Sequence, residues 1–260
     1  MRIVVCVKQV PATTADKRYR PDLRLDRAAA EAVINPLDEY AIEQALRLQE
    51  AGTVEMVTYL SMGPPEAAES LRRALAMGGD DAVLVSDPAL GGADEWVTAR
   101  VLAAALDRLA PEVSLMGMAS DDARGSLVPG AVAAIRGVPY LSYGSELTLA
   151  GDQARVRRLS PSGFDIVAAP LPVVASVTDQ VGEPRYASLR GIMAAKRKPM
   201  ETWALADLSL SAADLRGGAL TTVIEVRPPE AKPPTERIAD VGPDEAAVRI
   251  ADWLAARKLI

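Results

Sequence analysis

The chain has 260 residues, of which 49% are hydrophobic and only 4% aromatic, with a formal net charge of -6, one cysteine and no histidine. That length buries one sizeable core, and the acidic balance excludes nucleic acid as a partner, because neutralising phosphates needs a basic face. Without histidine, Ser-His-Asp and Cys-His nucleophiles and histidine metal sites are excluded, while a lone Cys6 forms no internal disulfide and suits a reducing cytoplasm. No apolar run reaches the roughly eighteen residues of a membrane span, and MRIVVCVKQV lacks a signal peptide's apolar region, so no span and no leader are expected.

The opening run Arg2 to Val7 is nearly continuous in β-branched residues and reads as a strand buried on both faces of a parallel sheet. It ends in Lys8-Gln9-Val10-Pro11, a loop at the carboxyl edge, where open α/β sheets bind ligands. Asn35-Pro36 is an N-cap followed by proline at the first helical position, and Leu37, Ala41, Ala45 and Leu48 mark the buried stripe of a helix to Glu50. A second strand is expected over Val54 to Leu60, with Ser61-Met62-Gly63-Pro64 as a second loop at the same edge. A helix carrying Ala68, Leu71 and Leu75 follows and stops at Gly78-Gly79. Ala82 to Val85 is the third strand, Asp94 caps a long helix to Ala110, and Val113 to Met116 is the fourth strand. Strands alternating with helices at this spacing indicate a doubly wound, mostly parallel α/β sheet rather than a sandwich.

The loop Gly117 to Ser126 leads into a helix bearing Val128, Val132 and Ile135. Glycines at such a turn leave backbone amides exposed at a helix N-terminus, which suits phosphate, although neither GxGxxG nor a Walker sequence is present. From Tyr140 the period becomes that of strands. Glu146 to Leu149, Arg155 to Leu159 and Phe164 to Ala169 form an antiparallel meander at the sheet edge, and Val173 to Val177 returns to buried strand character. After Trp203 the alternation ends: Val223 to Arg227 reads as a short strand, Pro228, Pro229, Pro233 and Pro234 as an extended linker, and Asp244 as the start of an amphipathic helix with Ala247, Ile250 and Leu254 on one side.

The most telling stretch is Val181 to Glu201, VGEPRYASLRGIMAAKRKPME. Ser188 is a good N-cap, and Leu189 to Lys198 is expected to be helical up to Pro199, which places Lys196, Arg197 and Lys198 in the last turn. Leu189, Ile192 and Met193 make one apolar stripe that Gly191 interrupts. This suits either an ordinary surface helix with a solvated basic end or a protruding anchor for another protein.

Glu183-Pro184-Arg185-Tyr186, followed by Leu189, Ile192-Met193, Ala195-Lys196 and Lys198, resembles the signature of the beta (small) subunit family of electron transfer flavoproteins. In that family the segment is a recognition loop whose leucine enters a pocket on the partner dehydrogenase. The resemblance thus implies partner recognition by Leu189, Ile192, Met193, Lys196 and Lys198. It implies a Rossmann-like sheet of the adenine-nucleotide-binding type, with AMP in the loop Gly117 to Ser126 and cofactor binding by a set comprising Cys6, Asn35, Pro36, Leu37, Asp38, Met62, Gly117, Asp122, Ala123, Arg124, Gly125, Ser126, Leu127 and Val128. It further implies FAD held mainly by an alpha subunit, with Thr13 and Asp165 near the flavin. Here Leu127-Val128-Pro129 replaces the family's common Gln-Thr-Gly or Gln-Val-Gly, so two polar side chains are absent from that helix start. The domains expected are a nucleotide-binding domain over 1–200 and an arm over 201–260 that docks on the alpha subunit.

Carried to function, the resemblance implies an electron carrier subunit with no bond chemistry of its own. It would take electrons from acyl-CoA and related dehydrogenases and pass them to a membrane quinone oxidoreductase. Two alternatives stay open: a stand-alone nucleotide-binding regulator of the universal-stress-protein type, and an electron-bifurcating member with a second FAD in the AMP site.

Overall fold

The structure is a computed structural model that describes residues 1–15, 18–216, 220–227, 230, 235 and 237–260. It divides into two compact units, Met1–Ile224 and Glu225–Ile260.

In the first unit the chain runs β1 (Arg2–Cys6), β2 (Gln9–Pro11), β3 (Ala32–Ile34), α1 (Pro36–Glu50), β4 (Met56–Met62), α2 (Ala68–Met77), β5 (Asp81–Val85), α3 (Glu95–Leu109), β6 (Val113–Gly117) and α4 (Val128–Arg136). The meander follows as β7 (Tyr140–Ala150), β8 (Gln153–Ser160) and β9 (Gly163–Pro170), then β10 (Val173–Val177), α5 (Leu189–Ala195), β11 (Met200–Trp203) and α6 (Ala212–Arg216). The nine-stranded sheet has the order β11-β5-β4-β1-β6-β10-β7-β8-β9. It is parallel from β11 through β7, and antiparallel only where β8 and β9 are added. The expected mostly parallel α/β sheet with an appended meander is therefore what forms.

Strand alternation sorts the core into two layers. Ile3 and Val5 of β1 meet Ala41, Ile42 and Ala45 of α1 and Leu71, Ala74 and Leu75 of α2 on one side. Val4 and Cys6 meet Val101, Leu102 and Leu106 of α3 and Ala131 and Val132 of α4 on the other. Ile3, Val4 and Val5 are each fully buried, which is why the run lacks polar residues; each contributes about 1.5–3 kcal/mol relative to exposure. Asp94 caps α3 as expected, its Oδ1 accepting from Val97 N at 2.9 Å.

Several boundaries differ from the sequence reading, each for a local reason. Gln9–Pro11 is not loop: it pairs antiparallel with Ala32–Ile34 as a separate two-stranded ribbon. Ser61 and Met62 belong to β4 rather than to the loop after it. β11 was not anticipated; it adds parallel to β5, with Met200 beside Ala82 and Trp203 beside Val85. Its partner strand, not its own four residues, makes it a strand. Because β11 and α6 build on the sheet and on α3, the first unit extends past 200 to Ile224. The strand expected over Val223 to Arg227 does not form: Val223 and Ile224 lie exposed, and Leu220 and Thr221 instead donate their amides to Asp94 Oδ2. The linker prolines Pro228, Pro229, Pro233 and Pro234 lie outside the described residues.

The second unit contains α7 (Pro243–Ala256). Gly242, not Asp244, is its N-cap; Asp244 and Glu245 lie in the first turn, where the helix dipole favours negative charge. None of its residues is buried, so the stripe Ala247, Ile250 and Leu254 has no core over it.

Candidate functional site

The strand order reverses between β1 and β6: from β1 the chain builds outward through β4 and β5, then crosses to β6 and builds the other way. At such a switch point the loops leaving two neighbouring strands part and open a crevice at the carboxyl edge. Here those loops are Lys8 onward and Met118–Leu127. The start of α1 lies between them, so near to β6 that a Cβ on Gly117 would fall 2.6 Å from both Asp38 Oδ1 and the Leu37 carbonyl oxygen.

Asn35 holds the second loop in place. Its Nδ2 donates to Ala119 O at 2.8 Å and its Oδ1 accepts from Asp121 N at 2.9 Å, so the side chain expected to cap α1 bridges to the loop instead. Asp38 accepts from Lys8 N at 2.8 Å. Burial pushes its carboxyl up to about 7, against the amides of Lys8 and Gly117, the Asn35 side chain and the Lys8 charge, all of which favour the charged form. Lys8 Nζ donates to Asp122 Oδ1 at 2.8 Å and to Ser120 Oγ at 3.2 Å, and Arg27 pairs with the other Asp122 oxygen. Burial pushes the Asp122 carboxyl up, but the two cations more than offset it and hold it at about 2. Thr13 Oγ1 donates to Asp121 Oδ2 at 3.0 Å, which places Thr13 over the same loop.

The end of that loop fits a phosphate. Arg124 and Ser126 take positive φ, 52° and 57°, an uncommon conformation for residues with a Cβ. The amides of Gly125, Ser126, Leu127 and Val128, at the mouth of α4, have no hydrogen-bond partner among the described residues. Glu95 closes over position 125: a Cβ there would lie 1.5 Å from Glu95 Oε1 and would make that side chain swing aside. On the same edge, the buried Ser61 hydroxyl beside Met62 has no partner among the described residues. Leu127 is exposed and offers no polar atom in place of the expected glutamine. Cys6 ends β1, but its side chain faces the α3/α4 layer, and burial first and Asp38 second push its thiol well up, so it stays protonated. Sequence reasoning missed Arg27 and Glu95, and it placed Lys8 only in the carboxyl-edge loop, without its bond to Asp122.

The second feature is the segment that carries α5. Arg185 Nε donates to the buried Glu43 of α1 at 2.7 Å, its NH2 reaches Glu43 Oε1 at 3.2 Å and Glu50 Oε2 at 3.0 Å, and its NH1 pairs with Glu50 as well. Arg47 donates to Glu43 at 2.7 Å and to the carbonyls of Val181 and Glu183 at 3.0 and 3.2 Å. Burial raises Glu43's pKa, but Arg185 and Arg47 outweigh it and keep the carboxyl below its usual range. Ser188 caps α5, its Oγ accepting from Gly191 N at 3.0 Å.

α5 is shorter than expected, ending at Ala195 instead of Lys198. Arg72 of α2 takes the Ala195 and Lys198 carbonyls at 2.7 and 2.8 Å, which turns the chain before Pro199. Gly191 does more than interrupt a stripe: a Cβ on it would lie 2.2 Å from Ala76 O, so this face and the buried Ala195 seat the helix on α2. The opposite face is bare, with Leu189 84%, Met193 61% and Ile192 43% exposed, and Tyr186 just before it 92% exposed. Lys196 is exposed. Lys198 is not part of that face, because its Nζ donates to Leu75 O at 2.9 Å and Gly78 O at 3.2 Å and closes the end of α2.

Sequence comparison places both features in context. Residues 22–208 match the electron transfer flavoprotein domain. The chain is 36% identical over 265 residues to the electron transfer flavoprotein subunit beta of Mycobacterium bovis, covering 99% of each. It belongs to the electron transfer flavoprotein family, among the beta subunits.

Within that family it is also 38% identical over 204 residues to the acryloyl-CoA reductase electron transfer subunit gamma of Anaerotignum propionicum, covering 77% of this chain and 76% of that one. A third relative, the caffeyl-CoA reductase-Etf complex subunit CarD of Acetobacterium woodii, is 33% identical over the full length of both. Electron transport and a flavoprotein context follow from this membership. No helix among the described residues is long and apolar enough to cross a membrane. Of the two residues expected near the flavin, Thr13 joins the carboxyl-edge loops, whereas Asp165 lies on β9, five strands from β1 in the sheet, paired with Arg158 at 3.4 Å.

Proposed function

We propose that this chain is the beta subunit of a heterodimeric electron transfer flavoprotein that accepts electrons from acyl-CoA and related dehydrogenases and delivers them to a membrane quinone oxidoreductase. The observation that carries this reading is the bare apolar tip formed by Tyr186 and by Leu189 and Met193 of the helix that follows it, whose other face is fixed to the core. A monomer gains nothing by holding three large apolar side chains rigidly in water, whereas a pocket on a partner gains its most valuable contacts from such anchors.

FAD, held mainly by the alpha subunit, supplies the electron chemistry. This chain makes and breaks no bonds; Thr13 and β2 before it would border the flavin. AMP suits the crevice between β1 and β6. Its phosphate would rest on the amides of Gly125 to Val128, with Asn35 and Asp38 fixing the loop that presents them. The arm that ends in α7 would lay Ala247, Ile250 and Leu254 on the alpha subunit, within a cytoplasmic complex.

The test is the content of the purified complex. Co-expressed with its alpha subunit, the chain should yield a heterodimer that releases a single FAD and one AMP on denaturation, and whose flavin is reduced by a substrate-loaded acyl-CoA dehydrogenase. Two FAD and no AMP would assign the electron-bifurcating alternative. A flavin-free homodimer would assign the stand-alone regulator.

A further inference from the structure

We propose that Arg185 is a positioning residue for docking: by clamping the chain onto α1 it presets the apolar tip Tyr186, Leu189 and Met193 for its partner. The proposal rests on the docking reading given above.

Residues 182–188 form no helix or strand, and α5 has only 7 residues, too few to stand as a helix alone. Their position must come from elsewhere. Downstream of the tip the seat is Gly191 and Ala195 on α2. Upstream it is Arg185, whose fork spans Glu43 and Glu50, two turns apart on α1. Glu43 is 4% exposed. A mid-helix carboxylate covered in this way contributes nothing to capping, and leaving it unpaired is costly. Its partners are Arg47, which also binds the Val181 and Glu183 carbonyls, and Arg185 itself. Both therefore serve to attach this segment.

The geometry requires arginine. A lysine presents one charged point, and cannot bridge two carboxylates with paired N–H groups as a guanidinium does. Tyr186 follows the clamp directly, and the capped start of α5 lies three residues after it, so the tip is bracketed on both sides. A tip already ordered before encounter loses less freedom on docking. α1 also carries Asn35 and Asp38 at its other end, so the tip is held by the same rigid element that organises the nucleotide crevice.

The experiment uses the αβ complex with wild-type, Arg185→Lys and Leu189→Ala chains. Amide hydrogen exchange is read over 186–195, and the dehydrogenase reaction is run with the complex as varied electron acceptor. Arg185→Lys should speed exchange in 186–195 and raise KM for the complex, each by about tenfold, with kcat, flavin content and exchange in β1, β4 and β6 unchanged. Leu189→Ala should raise KM without changing exchange. Unchanged exchange in Arg185→Lys would overturn the proposal, because the segment would then hold its place unaided. Faster exchange with unchanged KM would overturn it too, and Leu189→Ala then shows where the failure lies. If Leu189→Ala still raises KM, docking stands and only the clamp's role is lost; if it does not, the docking reading is itself wrong. Should Arg185→Lys not assemble, Glu50→Gln removes only the exposed half of the clamp and should raise both quantities about threefold.

Discussion

The crevice at the carboxyl edge and the α5 segment use the same scaffold in opposite ways. At the crevice, polar side chains are turned inward and paired: Asp122 is nearly closed off between Lys8 and Arg27, Asp38 is buried, and Asn35 is bonded at both ends. At the segment the polar groups hold the base and the apolar groups point outward, so that the fold acts as a pedestal. The difference teaches which residues tolerate change. In the crevice, changing one of these buried, paired side chains disturbs the fold and the site together, whereas on the segment the displayed side chains are separable from those that display them.

Gly117→Ala should show the first half of that contrast most strongly. The added methyl would strike α1 backbone, which cannot yield as a side chain end can, so unfolding experiments should report a loss of about 3 kcal/mol together with lost AMP.

Asp38 offers a pH test. Its folded pKa, about 7, lies above the unfolded value near 3.8, so between those values the native state binds more protons and stability falls as pH rises. The full displacement corresponds to roughly 4 kcal/mol, and the N-terminus of α1, which favours the carboxylate, should return about 1 of that. Wild type should therefore lose roughly 3 kcal/mol between about pH 4 and pH 7 from this group. Asp38→Asn should remove that part of the slope in urea unfolding measured across the range. An identical slope in the variant would mean that Asp38 stays charged in the fold.

Gly191→Ala probes the pedestal. A methyl driven against Ala76 O should lift α5 from α2 at a local cost of about 2 kcal/mol, visible as faster exchange in α5 with the central strands unaffected. The smallest expected effect belongs to Leu127→Gln. Restoring a polar side chain at the exposed mouth of α4 should tighten AMP by on the order of 1 kcal/mol in calorimetry and leave stability unchanged.

What the sequence disclosed follows how locally each feature is determined. The run Ile3-Val4-Val5, the Asp94 cap and Val173 to Val177 were legible because burial on both faces or one side-chain oxygen fixes them. The three-residue strands β2 and β3 and the four-residue β11 carry no periodicity of their own, and a partner strand decides each. Asn35 was recognised as a helix start, yet its side chain acts 84 residues away. Arg185 was legible only as part of a motif, since the carboxylate that gives it a purpose is 142 residues earlier. Lys198 was expected beside Lys196 in partner recognition, and only the end of α2 next to it shows where its ammonium is bonded.

Leu189→Ala tests the central claim most directly, by thermal unfolding of the αβ complex beside flavin reduction by a substrate-loaded acyl-CoA dehydrogenase. With 84% of its surface in water, Leu189 should give up less than about 0.5 kcal/mol of stability when truncated, while docking weakens by about 2 kcal/mol, roughly thirtyfold. A lowered melting temperature with undiminished electron transfer would contradict the account, and would make Leu189 a packing residue of the assembled protein rather than an anchor for its partner.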